Sequence, residues 1–156
     1  MQIRSATHAD LSAMQALAVE AGMFTEDEVG FFAEQFANQP PGAAWSVAVD
    51  GDEVVGATYV APEPFADRMW NLYFLVVDPA RHGGGLGRRL VEAVEEALRA
   101  LGPDAARTLV VETSSTDAYA GTRLFYARLG YDEEARIRQF YGPDDDKVVF
   151  WKSLVG

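Results

Sequence analysis

The sequence predicts a mixed α/β (α+β) domain with the element order βααβββαβαββ. Apolar residues recur at helical spacing in four segments and alternate, or run continuously, in seven short ones. Gly, Pro and Asp clusters punctuate the changes between them. At 156 residues, 49% apolar and 24% charged, the chain has the size and balance of one globular unit, able to bury roughly two-thirds of its unfolded surface. No linker or internal repeat interrupts it, so residues 1–156 are expected to form a single domain.

A short strand through Ile3 opens the chain. Thr7 and Asp10 fit a Thr-x-x-Asp helix start, and Leu11, Met14, Leu17, Ala18 and Ala21 mark one face of a helix ending before Gly22. Thr25 and Glu28 repeat that signal ahead of Val29, Phe32 and Phe36, and Pro40-Pro41-Gly42 closes this second helix. From Ala44 the period is two. Trp45, Val47 and Val49 alternate with smaller or polar residues, Asp50-Gly51-Asp52 supplies a turn, and Val54 to Val60 returns as the other arm of a hairpin. After Pro62 and Pro64, Met69 to Val77 is almost continuously apolar, as in a central strand covered on both faces. Asp78-Pro79 ends it. Leu86, Leu90, Val91, Val94, Leu98 and Leu101 define a helix halted at Gly102-Pro103, and Thr108 to Thr113 is the next strand. Thr116-Asp117 caps a helix carrying Ala118, Thr122, Phe125, Tyr126 and Leu129, which Gly130 stops. Strands around Glu134 to Tyr141 and Lys147 to Leu154 complete the order.

Thirteen Lys and Arg against 24 Asp and Glu leave a net charge of −11, a field that repels a phosphate backbone, so no nucleic-acid partner is expected. The absence of cysteine removes disulfides, thiolate zinc sites and cysteine nucleophiles, and fits a reducing cytoplasm. Met1-Gln2-Ile3-Arg4 leads into no apolar leader, and no stretch approaches 18 consecutive apolar residues. A soluble, unexported, cytoplasmic chain without membrane contact is expected. His8 and His82 have no ligand partner at i+3 or i+4, so no metal is expected either.

One segment carries a specific chemical signal: Val77-Asp78-Pro79-Ala80-Arg81-His82-Gly83-Gly84-Gly85-Leu86-Gly87-Arg88-Arg89. A strand enters, four glycines occupy five positions, and a helix leaves, so main-chain N–H groups can approach an anion with no Cβ in the way. Arg81, His82, Arg88 and Arg89, with no acid between them, make a local positive patch in an acidic chain. A diphosphate is the natural ligand. A nucleotide P-loop would need Lys-Ser or Lys-Thr after the glycines, and neither pair is there. A dinucleotide fold would need Gly-x-Gly-x-x-Gly in an N-terminal βαβ unit, whereas Gly83-x-Gly85 leads to Arg88 and Gly85-x-Gly87 to Leu90. The bland alternative is a surface turn with fortuitous glycines, which the well-patterned helix directly after it argues against.

These residues resemble the GNAT family of N-acetyltransferases. That family's Gln/Arg-x-x-Gly-x-Gly/Ala turn falls on His82, Gly85 and Gly87, preceded by Leu75-Val76-Val77-Asp78-Pro79. Phe125-Tyr126-Ala127-Arg128-Leu129-Gly130-Tyr131 is similar to its second signature, and the likeness spans nearly the whole chain. Two positions depart: His82 stands where the family has Gln or Arg, with Arg81 beside it, and Tyr119 stands where Asn often precedes the Phe-Tyr pair. The resemblance implies a mostly antiparallel central sheet flanked by helices. It further implies transfer of the acetyl group of acetyl-CoA, as cosubstrate, to a primary amine by direct attack in a ternary complex. Backbone groups of Leu75, Val76 and Val77 would follow the pantetheine arm on a splayed strand, and His82, Gly83, Gly84, Gly85, Leu86, Gly87 and Arg88 would hold the diphosphate. Such chemistry needs neither a cysteine nucleophile nor a metal.

The resemblance also makes Tyr126 the proton donor to the leaving thiolate. A phenol with pKa near 10 is protonated at neutral pH, and a positioned acid contributes about 10²–10⁴ in rate. The alternative for Tyr126 is a core aromatic beside Phe125. The acceptor amine must lose a proton. Glu112 is the candidate base because it follows Leu109-Val110-Val111 near the end of the fifth strand, where the family's sheet halves part around substrate. An ordinary solvated carboxylate is the alternative. Capping and a turn account for Asp117 and the Asp144-Asp145-Asp146 run. Trp45, Trp70, Phe74, Phe140, Phe150 and Trp151 are expected mainly in the core, with lining of the acceptor pocket by some of them as the alternative, and Tyr59, Trp70 and Tyr73 lie on strands flanking the cleft. The acceptor is expected to be a small-molecule amine, cationic to suit the acidic surface. A protein N-terminus or lysine as acceptor, and a non-catalytic acyl-CoA sensor, are the alternatives; a homodimer is an analogy with the family.

Overall fold

Thr7 and Asp10 act as their spacing predicts: the Thr7 N–H donates to the Asp10 carboxylate at 2.7 Å, and Arg4 donates to both its oxygens at 2.8 and 3.0 Å. The computed structural model describes residues 1–156, apart from the side chain of Phe31. A single 3-10 turn, His8–Asp10, leads into α1 (Leu11–Glu20), and the Thr25 N–H bond to Glu28, 2.9 Å, precedes α2 (Val29–Ala37). The strands are β1 (Gln2–Ser5), β2 (Ala44–Asp50), β3 (Glu53–Pro62), β4 (Met69–Val77), β5 (Thr108–Ser114), β6 (Asp132–Gly142) and β7 (Asp145–Ser153). Helices α3 (Leu86–Ala100) and α4 (Ala120–Arg128) flank β5 in the chain, giving the predicted order. The strands hydrogen-bond as a seven-stranded, mostly antiparallel sheet in the order β1-β2-β3-β4-β5-β7-β6, with β4 and β5 parallel. By contacts the chain divides into two compact units, Met1–Ala61 with Tyr73–Glu96, and Pro62–Leu72 with Ala97–Gly156.

In the first unit, Met14, Leu17 and Ala18 of α1 and Phe32 of α2 pack with Trp45, Val47, Ala57, Tyr59, Phe74 and Val76. A second cluster joins Ala48 and Val55 to Leu86 and Leu90 of α3. Alternation along β2 sends Val47 to one cluster and Ala48 to the other. Pairing with β3 steps from Ala48↔Gly56 to Val49↔Val54, so Val55 is the extra residue of a bulge, which turns it toward α3. Gly56 sits beneath that helix. A Cβ there would lie 2.8 Å from Leu90 Cδ1 and 3.2 Å from the Val76 carbonyl, so the missing side chain lets α3 seat against β3.

In the second unit, β5 pairs with β7 from Thr108↔Ser153 to Ser114↔Lys147, and β4 joins β5 through Met69↔Thr108, Trp70↔Leu109 and Asn71↔Val110. A 3-10 turn, Asp117–Tyr119, precedes α4, and Arg123 donates to the carbonyls of Ser114 and Thr116, each at 2.8 Å, tying that helix to the end of β5. The outermost strand, β6, is exposed from Asp132 through Tyr141 and pairs irregularly with β7 at Glu133/Ala135 and Ile137/Gly142. Gln139 in that second stretch has φ +58°.

Several expectations need correction. Phe140 is 53% exposed rather than in the core, because it lies on the outermost strand, β6, which is exposed from Asp132 through Tyr141. Tyr73 interrupts the covering of β4 with 46% exposure, and Leu101 lies exposed beyond the end of α3. The acidic run is not simply a turn. Gly142 pairs with Asp145, so only Pro143 and Asp144 turn; Asp145 accepts from Ser114 Oγ at 2.5 Å, and Asp146 from Arg136 and the Gln139 N–H, both at 2.8 Å.

Candidate active site

Asp78 ends β4 by accepting the Ala80 N–H at 3.0 Å, which starts a 3-10 turn through Arg81. The His82 N–H donates to the Pro79 carbonyl at 3.4 Å, and α3 begins its own bonding with the Arg89 N–H to the Gly85 carbonyl at 3.1 Å. Between those two bonds, the N–H groups of Gly83 to Arg88 donate to no protein group among the described residues. Gly83 and Gly85 have φ +84° and +81°, the left-handed region, and the space where their β-carbons would stand is open. Gly84 has only the Arg81 carbonyl near its would-be Cβ, at 3.5 Å. Leu86 buries its side chain against Ala48, Val55 and Leu90, so it offers the turn main chain alone. The result is a row of unengaged donors at the positive end of a 15-residue helix, a favourable seat for an anion.

The basic side chains around this turn are less available than their sequence suggests. Arg81 reaches Asp50 at 2.7 Å and Glu53 at 3.8 Å, Arg88 pairs with Glu92 at 2.8 Å one turn along α3, and Arg89 meets Met1 Sδ at 3.7 Å. The patch that lacks acids in sequence therefore acquires them in space. The groups here left open to an anion are the main-chain donors, with His82 exposed beside them. On β4, Val76 is buried toward α1 and α2 while Leu75 and Val77 lean on the α3 cluster, so these three also offer main chain rather than side chains. Their part of the strand lies past Asn71, the last residue registered with β5.

In the second unit, Tyr126 is 3% exposed, its ring 5.0 Å from Phe125, 5.7 Å from Tyr131 and 5.8 Å from Phe150. Burial pushes its phenol well above the ordinary value, so it stays protonated. The core-aromatic reading and the acid reading are both compatible with this setting. Glu112, in β5, is not a free carboxylate: Lys147 Nζ of β7 stands 3.2 Å away, with side-chain exposures of 30% for Glu112 and 11% for Lys147. The same ammonium sits 3.5 Å from the centroid of Phe140. Tyr141 is nearby, its phenol raised first by burial and then by the charges of Glu112, Asp145 and Tyr119.

Lys147 escapes the sequence reading because it reaches Glu112 only across strands, while Phe140 reads as core and Asp145 as part of a turn. The one usable signal is period two: Lys147 and Val149 share a face of β7, with Lys147 opposite Ser114 and Val149 opposite Glu112, so that Lys147 meets Glu112 on the diagonal. Of the residues expected to flank the cleft, Tyr59 is buried and stacks on Tyr73 at 5.8 Å, and burial raises its phenol. Trp70 is buried too, its indole N–H held by the Ala105 carbonyl at 3.0 Å. Among the described residues no three His, Asp or Glu gather as a metal site, and no helix is long and apolar enough to cross a membrane.

The sequence profile of the acetyltransferase (GNAT) family matches residues 11–131. The chain belongs to the GNAT family. A Desulfovibrio desulfuricans protein assigned to the same GNAT family superposes with a TM-score of 0.89 at 29% identity, covering 99% of both chains. An aminoglycoside 6'-N-acetyltransferase complexed with coenzyme A has the same fold, with a TM-score of 0.80 at 21% identity over 100% of this chain and 98% of its own. So has the ribosomal-protein-S18-alanine N-acetyltransferase of Escherichia coli, with a TM-score of 0.79 at 22% identity over 99% and 94%. No curated protein matches this GNAT chain in sequence.

Proposed function

We propose that this GNAT protein transfers the acetyl group of acetyl-CoA to a primary amine by direct attack in a ternary complex. The observation that carries the reading is the unengaged run of N–H groups from Gly83 to Arg88 at the head of α3, suited to the diphosphate of a CoA thioester. Backbone groups of Leu75, Val76 and Val77, beyond the register with β5, supply partners for the pantetheine amides and for the thioester carbonyl. A protein of the same fold is known with coenzyme A bound, which supports acetyl-CoA as cosubstrate.

In the reaction the amine lone pair attacks the thioester carbonyl carbon, the C–S bond breaks, and CoA leaves as a thiol. Tyr126 supplies the thiolate's proton, its buried phenol remaining protonated through the neutral range. Glu112 takes the proton of the amine, directly or through water. Positioning the two reactants and stabilising the oxyanion supply most of the acceleration, several kcal/mol each in general. The acceptor is a small-molecule amine, cationic in keeping with the net charge of −11.

The test mixes acetyl-CoA with a panel of primary amines and reads released thiol. At least one amine should give turnover, and Tyr126→Phe should lower kcat by about 10²–10⁴ while the CoA Kd stays within about twofold. CoA binding without thiol release for any amine, protein N-terminal peptides included, would leave an acyl-CoA sensor as the better description.

A further inference from the structure

We propose that Lys147 is a placeholder whose ammonium fills, in the free protein, the subsite where Glu112 and the ring of Phe140 receive the alkylammonium head of the acceptor. This inference rests on the transferase reading and narrows its acceptor to a primary alkylamine that is charged when it arrives.

A carboxylate on one side and an aromatic face on the other is the chemistry that selects an alkylammonium. Both are already engaged with one, at 3.2 Å from Glu112 and 3.5 Å from the Phe140 centroid. The neighbouring carboxylate, Asp145, is taken by Ser114 Oγ at 2.5 Å and the Ser115 N–H at 3.3 Å. Glu112 is thus the acid of this cluster whose bonded partner is a side-chain ammonium rather than a fixed group of the strand ends.

Exchange of one ammonium for another keeps the carboxylate paired. A free alkylammonium meets the same carboxylate and ring while lysine returns to water, and it competes with the tethered lysine for them. The ring that covers the ammonium is 53% exposed and lies just after left-handed Gln139, in the stretch from Ile137 to Gly142 where β6 and β7 do not pair regularly. Phe140 can therefore move aside without breaking the sheet. An arylamine, neutral near pH 7, brings neither the charge nor the methylene stem that Lys147 displays, and is disfavoured.

The experiment uses n-butylammonium chloride as the probe, against sodium chloride at equal ionic strength, without CoA. In the unmodified protein the probe should shift or broaden the side-chain ¹⁵N signal of Lys147. By calorimetry Lys147→Met should bind butylammonium about tenfold more tightly, Lys147→Gln should behave alike, and Phe140→Leu should bind it severalfold more weakly. The proposal is overturned if butylammonium does not bind, if it binds with the Lys147 signal unmoved, or if neither Lys147 variant binds it more tightly. The signal measurement needs no variant, so a misfolded mutant does not decide the matter. Thiol release absent with exchange intact would fail the transferase reading alone, whereas acetyl transfer with Lys147 unmoved would fail this one alone.

Discussion

Leu90 Cδ1 lies 2.8 Å from the point where a β-carbon on Gly56 would stand, with the Val76 carbonyl 3.2 Å from the same point. The side chain of Leu90 is fully buried and the carbonyl belongs to a central strand, so neither can give way freely. Gly56→Ala should therefore lower stability by about 1–3 kcal/mol, as overpacking of a filled interior does. Thermal melting checks the first part. Because α3 is the element pushed, CoA affinity by calorimetry should weaken as well, and a melting loss with CoA affinity untouched would mean that the head of α3 does not hold the cosubstrate.

Gly85 separates backbone strain from charge. With φ +81° and open space around its would-be Cβ, Gly85→Ala pays only for conformation, about 1–2 kcal/mol, and should weaken CoA binding a few-fold. Gly85→Glu adds a carboxylate that would itself occupy the free N–H groups and repel phosphate. Its CoA Kd should rise by at least about a hundredfold, equivalent to about 2.7 kcal/mol. Equal effects from the two variants would place the diphosphate elsewhere.

Arg88 is paired with Glu92 and both are exposed, so its help to a bound anion has to be drawn away from that partner. Arg88→Ala should weaken CoA binding more at low salt than at high salt, and Glu92→Gln should strengthen it at low salt by releasing the guanidinium. Stability should move by no more than about 0.5 kcal/mol in either variant. Salt-independent losses would assign Arg88 to packing.

Asp10 ties β1 to the entry of α1, and its bonds to Arg4, then to Thr7, hold its carboxyl at about 2 against an ordinary 3.8. A lowered folded-state value means stability that is present above pH 4 and lost as the pH falls through about 2. Since Arg4 is 37% exposed, solvent screening reduces the contribution to about 1 kcal/mol. Asp10→Asn should lower the melting temperature by about 2–4 °C at pH 7 and by clearly less at pH 2, where the carboxyl is half protonated.

What the sequence makes legible is local. Thr7 with Asp10 and Thr25 with Glu28 announce their helices because the bonds span three residues, and the glycines before Leu86 announce a left-handed turn because main-chain geometry is written in residue type. What it hides is assembled across distance. Arg81 looks free until the hairpin brings Asp50 and Glu53 to it, and Glu112 looks solvated until β7 delivers Lys147. Phe140 reads as core because its residue type suits a packed strand, yet the strand order leaves β6 at the margin. Period two tells which side of a strand a residue takes, and says nothing of whether anything lies on that side.

The irregular outer strand has its own consequence for handling the molecule. A straight, apolar margin would recruit further strands and grow into fibrils as concentration rises. Here two breaks in register, the kink at Gln139 and the charges of Glu133, Arg136 and Arg138 spoil that template. Deleting Glu134, the residue between Glu133 and Ala135 at the first break, should make the protein scatter more light and precipitate at lower concentration.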